Sequence, residues 1–180
     1  MAKKEEKELN VEDYETVYHY TREKHGLTRQ NVVDETDNIN YPINLDRLQR
    51  IETAKLPIEP AEVLALSKVY KESELCNYYC TNECPIGKQF VPRVKVKDLE
   101  GIVLEMLSSL NTIKKSQDRL IEISADGIID ESEIEDFVDI QEKLEKVSVT
   151  VESLKLWVQQ MIMDNKIDHE LYEKIKNKRK

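Results

Sequence analysis

Three cysteines have the spacing that most readily suggests chemistry. Cys76, Cys80 and Cys84 recur every four residues, so on a helix they would share one stripe. Three thiolates can hold zinc or an iron–sulfur cluster when a fourth ligand joins them. The usual Cys-x-x-Cys pair is absent, and no histidine lies close in sequence. We therefore interpret the thiols as small packing groups and expect no cofactor; a metal site and a redox disulfide are the alternatives.

A second candidate is the acidic loop at residues 122–133. Gly127 and Glu133 stand at the sixth and twelfth positions of an EF-hand calcium loop, but position one is Glu122 where Asp is expected. The sequence repeats the pattern 38 residues later. There Asn165 replaces Gly, which also suits a left-handed turn, and Leu171 replaces the bidentate Glu. The elements that recur are those of turns and helix caps, so we expect a left-handed turn at Gly127 and no calcium.

No pattern in the sequence indicates catalysis. The chain lacks a Gly-rich phosphate loop, a His-Glu-x-x-His pair and a nucleophile elbow. Pairs of carboxylates do not indicate general acid–base catalysis here, because a chain with 36 acidic residues contains many such pairs by chance. We therefore expect a protein that is not an enzyme.

Composition indicates the fold class and the compartment. The 180 residues include 36 acidic and 27 basic side chains, for a net charge of −9, which argues against sequence-independent coating of nucleic acid. Only four glycines and five prolines are present, too few for a β-sandwich, a barrel or a nucleotide-binding α/β fold. No apolar run approaches the roughly 18–20 residues that span a bilayer, and the first residues lack the apolar core of a secretory signal. We expect an all-α, cytoplasmic protein without membrane association.

The elements needed to position any site divide the chain into three parts. Residues 1–75 are predicted to form a small helical domain, residues 76–96 a cysteine-containing connector, and residues 97–180 long helices. Side chains and prolines typical of helix starts occur in the first part, at Asn10, Thr28, Asn44 and Pro60.

The third part carries apolar residues at alternating steps of three and four. The first run is Leu99, Val103, Met106, Leu110, Ile113 and Leu120. The second run is Phe137, Ile140, Leu144, Val147, Val151, Leu154, Val158 and Met161. These seams predict a long antiparallel helical hairpin with a shorter helix after it. Because the two faces are unequal and a hairpin buries little area alone, we expect a homodimer through residues 97–165.

Residues 20–70 resemble a known family. The Gly-Leu-Thr-Arg-Gln segment at 26–30 resembles the opening of helix two in lambda-repressor-like, or xenobiotic-response-element (XRE), regulators. Residues 48–55 resemble that family's recognition helix, with its Ile-Glu-Asn-Gly-Lys type of ending. The segment from Pro57 to Ser67 is similar to the family's proline-led fourth helix.

The resemblance implies a helix-turn-helix whose third helix enters the major groove of double-stranded DNA. The residues that it implies face DNA are Asn44, Leu45, Asp46, Arg47 and Arg50. Those implied to contact phosphates are Thr28, Arg29 and Thr53. Lys55, Arg22 and Lys24 would add non-specific electrostatic attraction to the DNA. Arg50 would pair with guanine. The implied function is a transcriptional regulator that binds a specific operator as a homodimer. The alternative is a non-enzymatic protein-interaction module on the same scaffold, since fold does not fix function.

Overall fold

The computed structural model describes residues 10–179, and the regular secondary structure of that part is helical. Those residues form helices, turns and extended segments, without a β-strand among them, which confirms the all-α prediction. The chain divides into two compact units, which we call the N unit, ending at Cys84, and the C unit, beginning at Pro85. Within the described residues, none of the helices has both the length and the apolar character needed to cross a membrane.

The N unit consists of a 3-10 turn and a series of short helices. The turn is Val11–Asp13, and the helices are α1 (Val17–Lys24), α2 (Arg29–Asn38), α3 (Leu45–Glu52), α4 (Pro60–Val69) and α5 (Glu74–Asn82). The predicted caps at Thr28 and Asn44 are confirmed, since their side chains accept from the backbone amides of Asn31 and Arg47. The predicted helix start at Pro60 is confirmed as well.

The first helix begins later than the sequence predicts. Asn10 caps only the 3-10 turn, where the Glu12 amide donates to its Oδ1 at 3.3 Å. The chain then extends, and Thr16 caps α1 by accepting from the His19 amide at 3.2 Å. The Thr16 hydroxyl also donates to the Glu52 carbonyl at 3.2 Å, so a contact distant in sequence helps to fix the start of α1.

The N unit has a continuous apolar core between α1, α2, α3, α4 and α5. Its buried members are Tyr18, Val32, Ile43, Leu48, Ile51, Ile58, Val63, Ala65, Leu66, Tyr70 and Leu75. Helix α5 belongs to this core because Leu75 is buried in it and Cys76 and Tyr79 pack against it. Residues 76–84, which the sequence analysis assigns to the connector, form most of α5 and the end of the N unit in the structure.

The C unit contains one short helix followed by longer ones. These are α6 (Gly87–Phe90), α7 (Leu99–Lys115), α8 (Gln117–Ile123), α9 (Ile134–Met163) and α10 (His169–Asn177). Helices α7 and α9 pack against each other. Lys143 on α9 donates to Ser116 at 2.9 Å, and Arg119 donates to Asp136 at 2.6 Å, so the chain before the turn runs opposite to α9.

The two turns of the C unit have the conformations that the sequence predicts. Gly127 has φ +73° and Asn165 has φ +56°, both in the left-handed region. Asp168 caps α10 by accepting from the Leu171 amide at 3.0 Å. In the first turn, the Asp130 amide donates to Glu133 Oε2 at 3.3 Å, a contact that closes the turn before α9.

Candidate functional site

The N-terminal end of α2 and the exposed side of α3 line one surface cleft. The cleft has a volume of about 490 Å³ and is lined by Arg22, Glu23, Gly26, Leu27, Thr28, Arg29, Leu45 and Gln49. Gly26 makes the turn into it with φ +64°, a conformation in which a side chain is strained. Thr28, Arg29 and Leu45, all predicted DNA-facing residues, therefore do lie side by side.

Helix α3 has one buried and one exposed side. Leu48, Ile51 and Glu52 are buried, which turns Leu45, Asp46, Gln49 and Arg50 towards solvent. Arg50 Nε lies 2.9 Å from Asp46 Oδ2, one helical turn away, and about half of the Arg50 side chain is exposed. This pair holds the guanidinium along the helix surface.

The polar groups at the helix ends are already used in local structure. Asn44 Oδ1 accepts from the Arg47 amide at 2.8 Å, which leaves the Asn44 amide nitrogen as the donor on this side. Thr28 and Asn31 form a reciprocal capping box. Thr53, at the end of α3, donates to the Gln49 carbonyl at 2.9 Å. Lys55 follows in an exposed position.

A buried cluster of charged side chains lies below the surface formed by α2 and α3 and connects these helices. Arg22 Nε lies 2.6 Å from Glu52 Oε1, and Arg29 Nε lies 2.7 Å from Glu52 Oε2. Glu52 is completely buried, whereas Arg29 keeps 34% of its side chain exposed. Burial alone would lower the pKa of Arg22, but its bonds to Glu52 and to Glu23, which lies 2.7 Å from Nη1, outweigh burial and raise that pKa. The cluster ties α1, α2 and α3 together.

This burial corrects the expectation for Arg22. Its side chain is only 5% exposed, and it donates from Nη1 to the Leu27 carbonyl at 2.7 Å. Lys24, the other cation expected to add attraction, pairs with Glu72 at 2.8 Å. Arg22 is therefore a structural residue. Lys24 is held in an ion pair with Glu72, which lies in the turn after α4.

Arg47 also has a structural partner. Its Nε and Nη2 donate to the two carboxylate oxygens of Glu62 at 2.7 and 2.8 Å, and Nη2 donates to the Pro57 carbonyl at 2.9 Å. Burial would raise the pKa of Glu62, but the bonds from Arg47 and from the Glu59 amide lower it. These contacts join α3 to α4, so we leave Arg47 out of the candidate site.

The cysteines lie away from this surface, on α5 and just beyond it. All three cysteines are half-buried thiols that are not joined in disulfides, and Cys76 Sγ donates to Ser67 Oγ at 3.4 Å. Burial, followed by the neighbouring Cys84 and Cys76, raises the pKa of the Cys80 thiol, which disfavours the reactive thiolate. Among the described residues, no group of three His, Cys, Asp or Glu side chains could hold a metal ion.

Sequence reasoning missed Gln49. Its side chain is exposed and lines the cleft one helical turn after Leu45. The i, i+4 spacing from Leu45 was the signal that could have identified it. The candidate site therefore consists of Thr28, Arg29, Asn44, Leu45, Asp46, Gln49 and Arg50, with Thr53 and Lys55 at its edge.

Comparison with protein-family models, curated proteins and solved structures found no match to the chain.

Proposed function

We propose that the protein is a sequence-specific DNA-binding transcriptional regulator that acts as a homodimer. In this proposal α2 and α3 form the helix-turn-helix, and the C unit is a helical hairpin that dimerises. The observation that carries the proposal is the shared cleft, in which the N-terminal end of α2 and the exposed side of α3 present polar side chains together. This is the arrangement that a phosphate-anchored helix in a major groove needs.

The exposed side of α3 has side chains suited to reading base edges. Arg50 can donate two hydrogen bonds to guanine, and Gln49 can both donate to and accept from adenine. Leu45, 46% exposed, offers an apolar surface for a thymine methyl group. Asp46 favours a cytosine amino group and repels phosphate, so it adds selectivity at the expense of general attraction.

The start of α2 supplies the anchor to the DNA backbone. It has no acidic residue in its first turn, so the helix dipole presents positive potential to a phosphate. Thr28 and the exposed part of Arg29 lie at this end. The buried bond to Glu52 fixes the orientation of Arg29 before DNA arrives, which lowers the entropy cost of binding.

The acidity of the chain limits non-specific attraction. Residues 1–84 carry eleven basic and seventeen acidic side chains. A surface of this balance collects few phosphates, so binding depends on a small set of aligned contacts. We therefore expect a shallow salt dependence, equivalent to about two to four phosphate contacts.

Fluorescence anisotropy with a selected duplex tests this proposal. We expect saturable binding that weakens as salt rises, and further weakening in Gln49→Ala and Arg50→Ala. Arg93→Ala is the matched control because it also removes an exposed guanidinium, but from the C unit and outside the candidate site. Absence of saturable binding to any duplex at low salt would contradict the proposal.

The alternative, a protein-interaction module, has one observation in its favour. An open cleft of about 780 Å³ in the C unit is lined by Leu104, Ser108, Ser109, Val149 and Thr150 together with Glu105, Glu142, Glu145 and Lys146. A mixed apolar and acidic surface of this kind suits a basic peptide. If that is the function, the protein will bind such a peptide and no duplex.

A further inference from the structure

One side of the C unit exposes large apolar side chains in a continuous row. We call this row the apolar flank; it consists of Leu99, Val103, Leu107, Leu110, Leu144 and Val151. Each of these side chains is between 36% and 55% exposed. Single exposed apolar residues are ordinary, but a contiguous group on two adjacent helices is typical of an interaction surface.

The two parts of the apolar flank lie on the same side of the α7–α9 pair. Successive residues of an α-helix are rotated by about 100° around its axis. Val103, Leu107 and Leu110 therefore lie on the same side of α7, next to the face that buries Ile102. Helix α9 runs in the opposite direction, so the same rotation brings Leu144 and Val151 to that side. The open cleft of the C unit, lined by Leu104, Ser108 and Val149 among others, lies on the other side of the pair, so the apolar flank is a separate surface.

The charges along α7 show which partner fits this flank. Glu100 and Lys114 are exposed and lie seven residues before and seven residues after Leu107. If a second α7 packs antiparallel about Leu107, the Glu100 end of each helix meets the Lys114 end of the other. The surface is therefore complementary to itself in both apolar content and charge, as a two-fold interface requires.

We propose that the apolar flank binds a second copy of this chain, with the two α7 helices antiparallel about a two-fold axis at Leu107. Leu107 then packs on Leu107 of the partner subunit, and Glu100 lies opposite Lys114 of the partner subunit. Leu144 and Val151 extend the contact onto α9. This arrangement rests on the proposed homodimer and adds its surface, register and orientation.

Charge exchange tests the register. Glu100→Lys or Lys114→Glu alone places like charges together at both ends of the interface, so we expect the dimer dissociation constant to rise about tenfold in sedimentation equilibrium. The double variant Glu100→Lys/Lys114→Glu restores opposite charges and should return to within about threefold of the wild type. Lys115→Glu and Glu135→Lys, exposed positions off the flank, are matched controls that should leave the constant unchanged.

Cross-linking tests the position of the axis independently. In Leu107→Cys the two new thiols face each other and should form a disulfide-linked dimer under mild oxidation. In Leu110→Cys they are displaced by about 9 Å along the helices and should not. The wild type, treated identically, reports any link through the native thiols.

A wild-type protein that sediments as a monomer at micromolar concentration would overturn the proposal. A dimer that the double variant does not restore, or that cross-links at 110 and not at 107, would overturn the register. DNA binding is measured separately, so a dimer of this register that binds no duplex would refute the proposed function and leave this interface standing.

Discussion

The two units of the protein treat charged and apolar side chains in opposite ways. The N unit buries charges, since Glu52 is completely inaccessible and is bonded to Arg22 and Arg29. The C unit exposes apolar groups, since α7 turns leucines such as Leu107 towards solvent. Burying a charge is costly unless a partner compensates it, and exposing apolar area is costly unless a surface covers it.

The difference indicates where each unit finds its stability. In the N unit the compensating partners lie in the same unit, and a continuous apolar core joins its helices. In the C unit only a few apolar side chains are buried among the described residues, namely Val94, Ile102, Ile123, Ile140 and Leu156. We infer that the N unit is stable by itself, whereas the C unit gains stability from a partner and therefore depends on concentration.

The largest effect is expected from Glu52→Ala. Removing the carboxylate takes away the buried partner of Arg22 and leaves its guanidinium with the partly exposed Glu23, at 2.7 Å, and the Leu27 carbonyl. We expect a loss of about 3 kcal/mol, the lower end of the range for breaking a buried ion pair. Urea unfolding followed by circular dichroism measures the loss. Glu35→Ala, on the exposed side of α2, is the control and should change the free energy of unfolding by about 0.5 kcal/mol or less. If the two variants are equally stable, the buried cluster does not hold the N unit together.

The next effect concerns the C unit. Leu144→Glu or Val151→Glu places a charge in the proposed interface, so each should yield a monomer and lose operator affinity. Burying one such apolar side chain contributes about 1.5–3 kcal/mol, equivalent to a tenfold to hundredfold change in dimer dissociation. Ile128→Glu, in the exposed turn, is the matched control. Sedimentation velocity distinguishes them, and dimers in all three would refute a role for this flank.

Arg50→Ala should cost about 1–3 kcal/mol of binding free energy on the preferred duplex and relax the preference at one base position. Binding to duplexes varied at each position measures both quantities. Equal weakening on every sequence would assign Arg50 to a phosphate. Unchanged binding would remove Arg50 from the interface.

The smallest effect is expected for the change in folding stability between neutral and acidic pH. The pKa of Glu62 is lowered in the folded protein, because the bonds from Arg47 and the Glu59 amide outweigh burial. Its ionised form therefore stabilises the fold above the unfolded pKa near 4.5, and this contribution is lost as pH falls through the lower folded value. Glu62→Gln should reduce the difference in stability between pH 6 and pH 3. An unaltered difference, measured by urea unfolding, would show that Glu62 does not couple folding to pH.

The sequence predicted the features that depend on neighbouring residues. The caps at Thr28 and Asn44 and the left-handed turns at Gly127 and Asn165 follow from side chains within three positions. The all-α fold followed from composition in the same way.

Features that depend on distant contacts were not predictable. Arg22 and Glu52 are thirty residues apart in sequence, and Arg47 and Glu62 are fifteen apart. No local pattern could therefore indicate that these arginines form ion pairs within the protein. The late start of α1 at Val17 and the inclusion of Cys76 in the N unit have the same origin. Such burial is decided by packing and not by periodicity.

Selection of bound DNA from random duplexes by the 180-residue protein tests most directly the claim that it is a sequence-specific DNA-binding regulator. A homodimer that presents two copies of α3 should enrich one motif made of two half-sites in inverted orientation. In the Arg50→Ala variant, the base preference at one position of each half-site should disappear. A pool that remains random after repeated rounds at low salt would contradict the claim that this protein is a sequence-specific DNA-binding regulator.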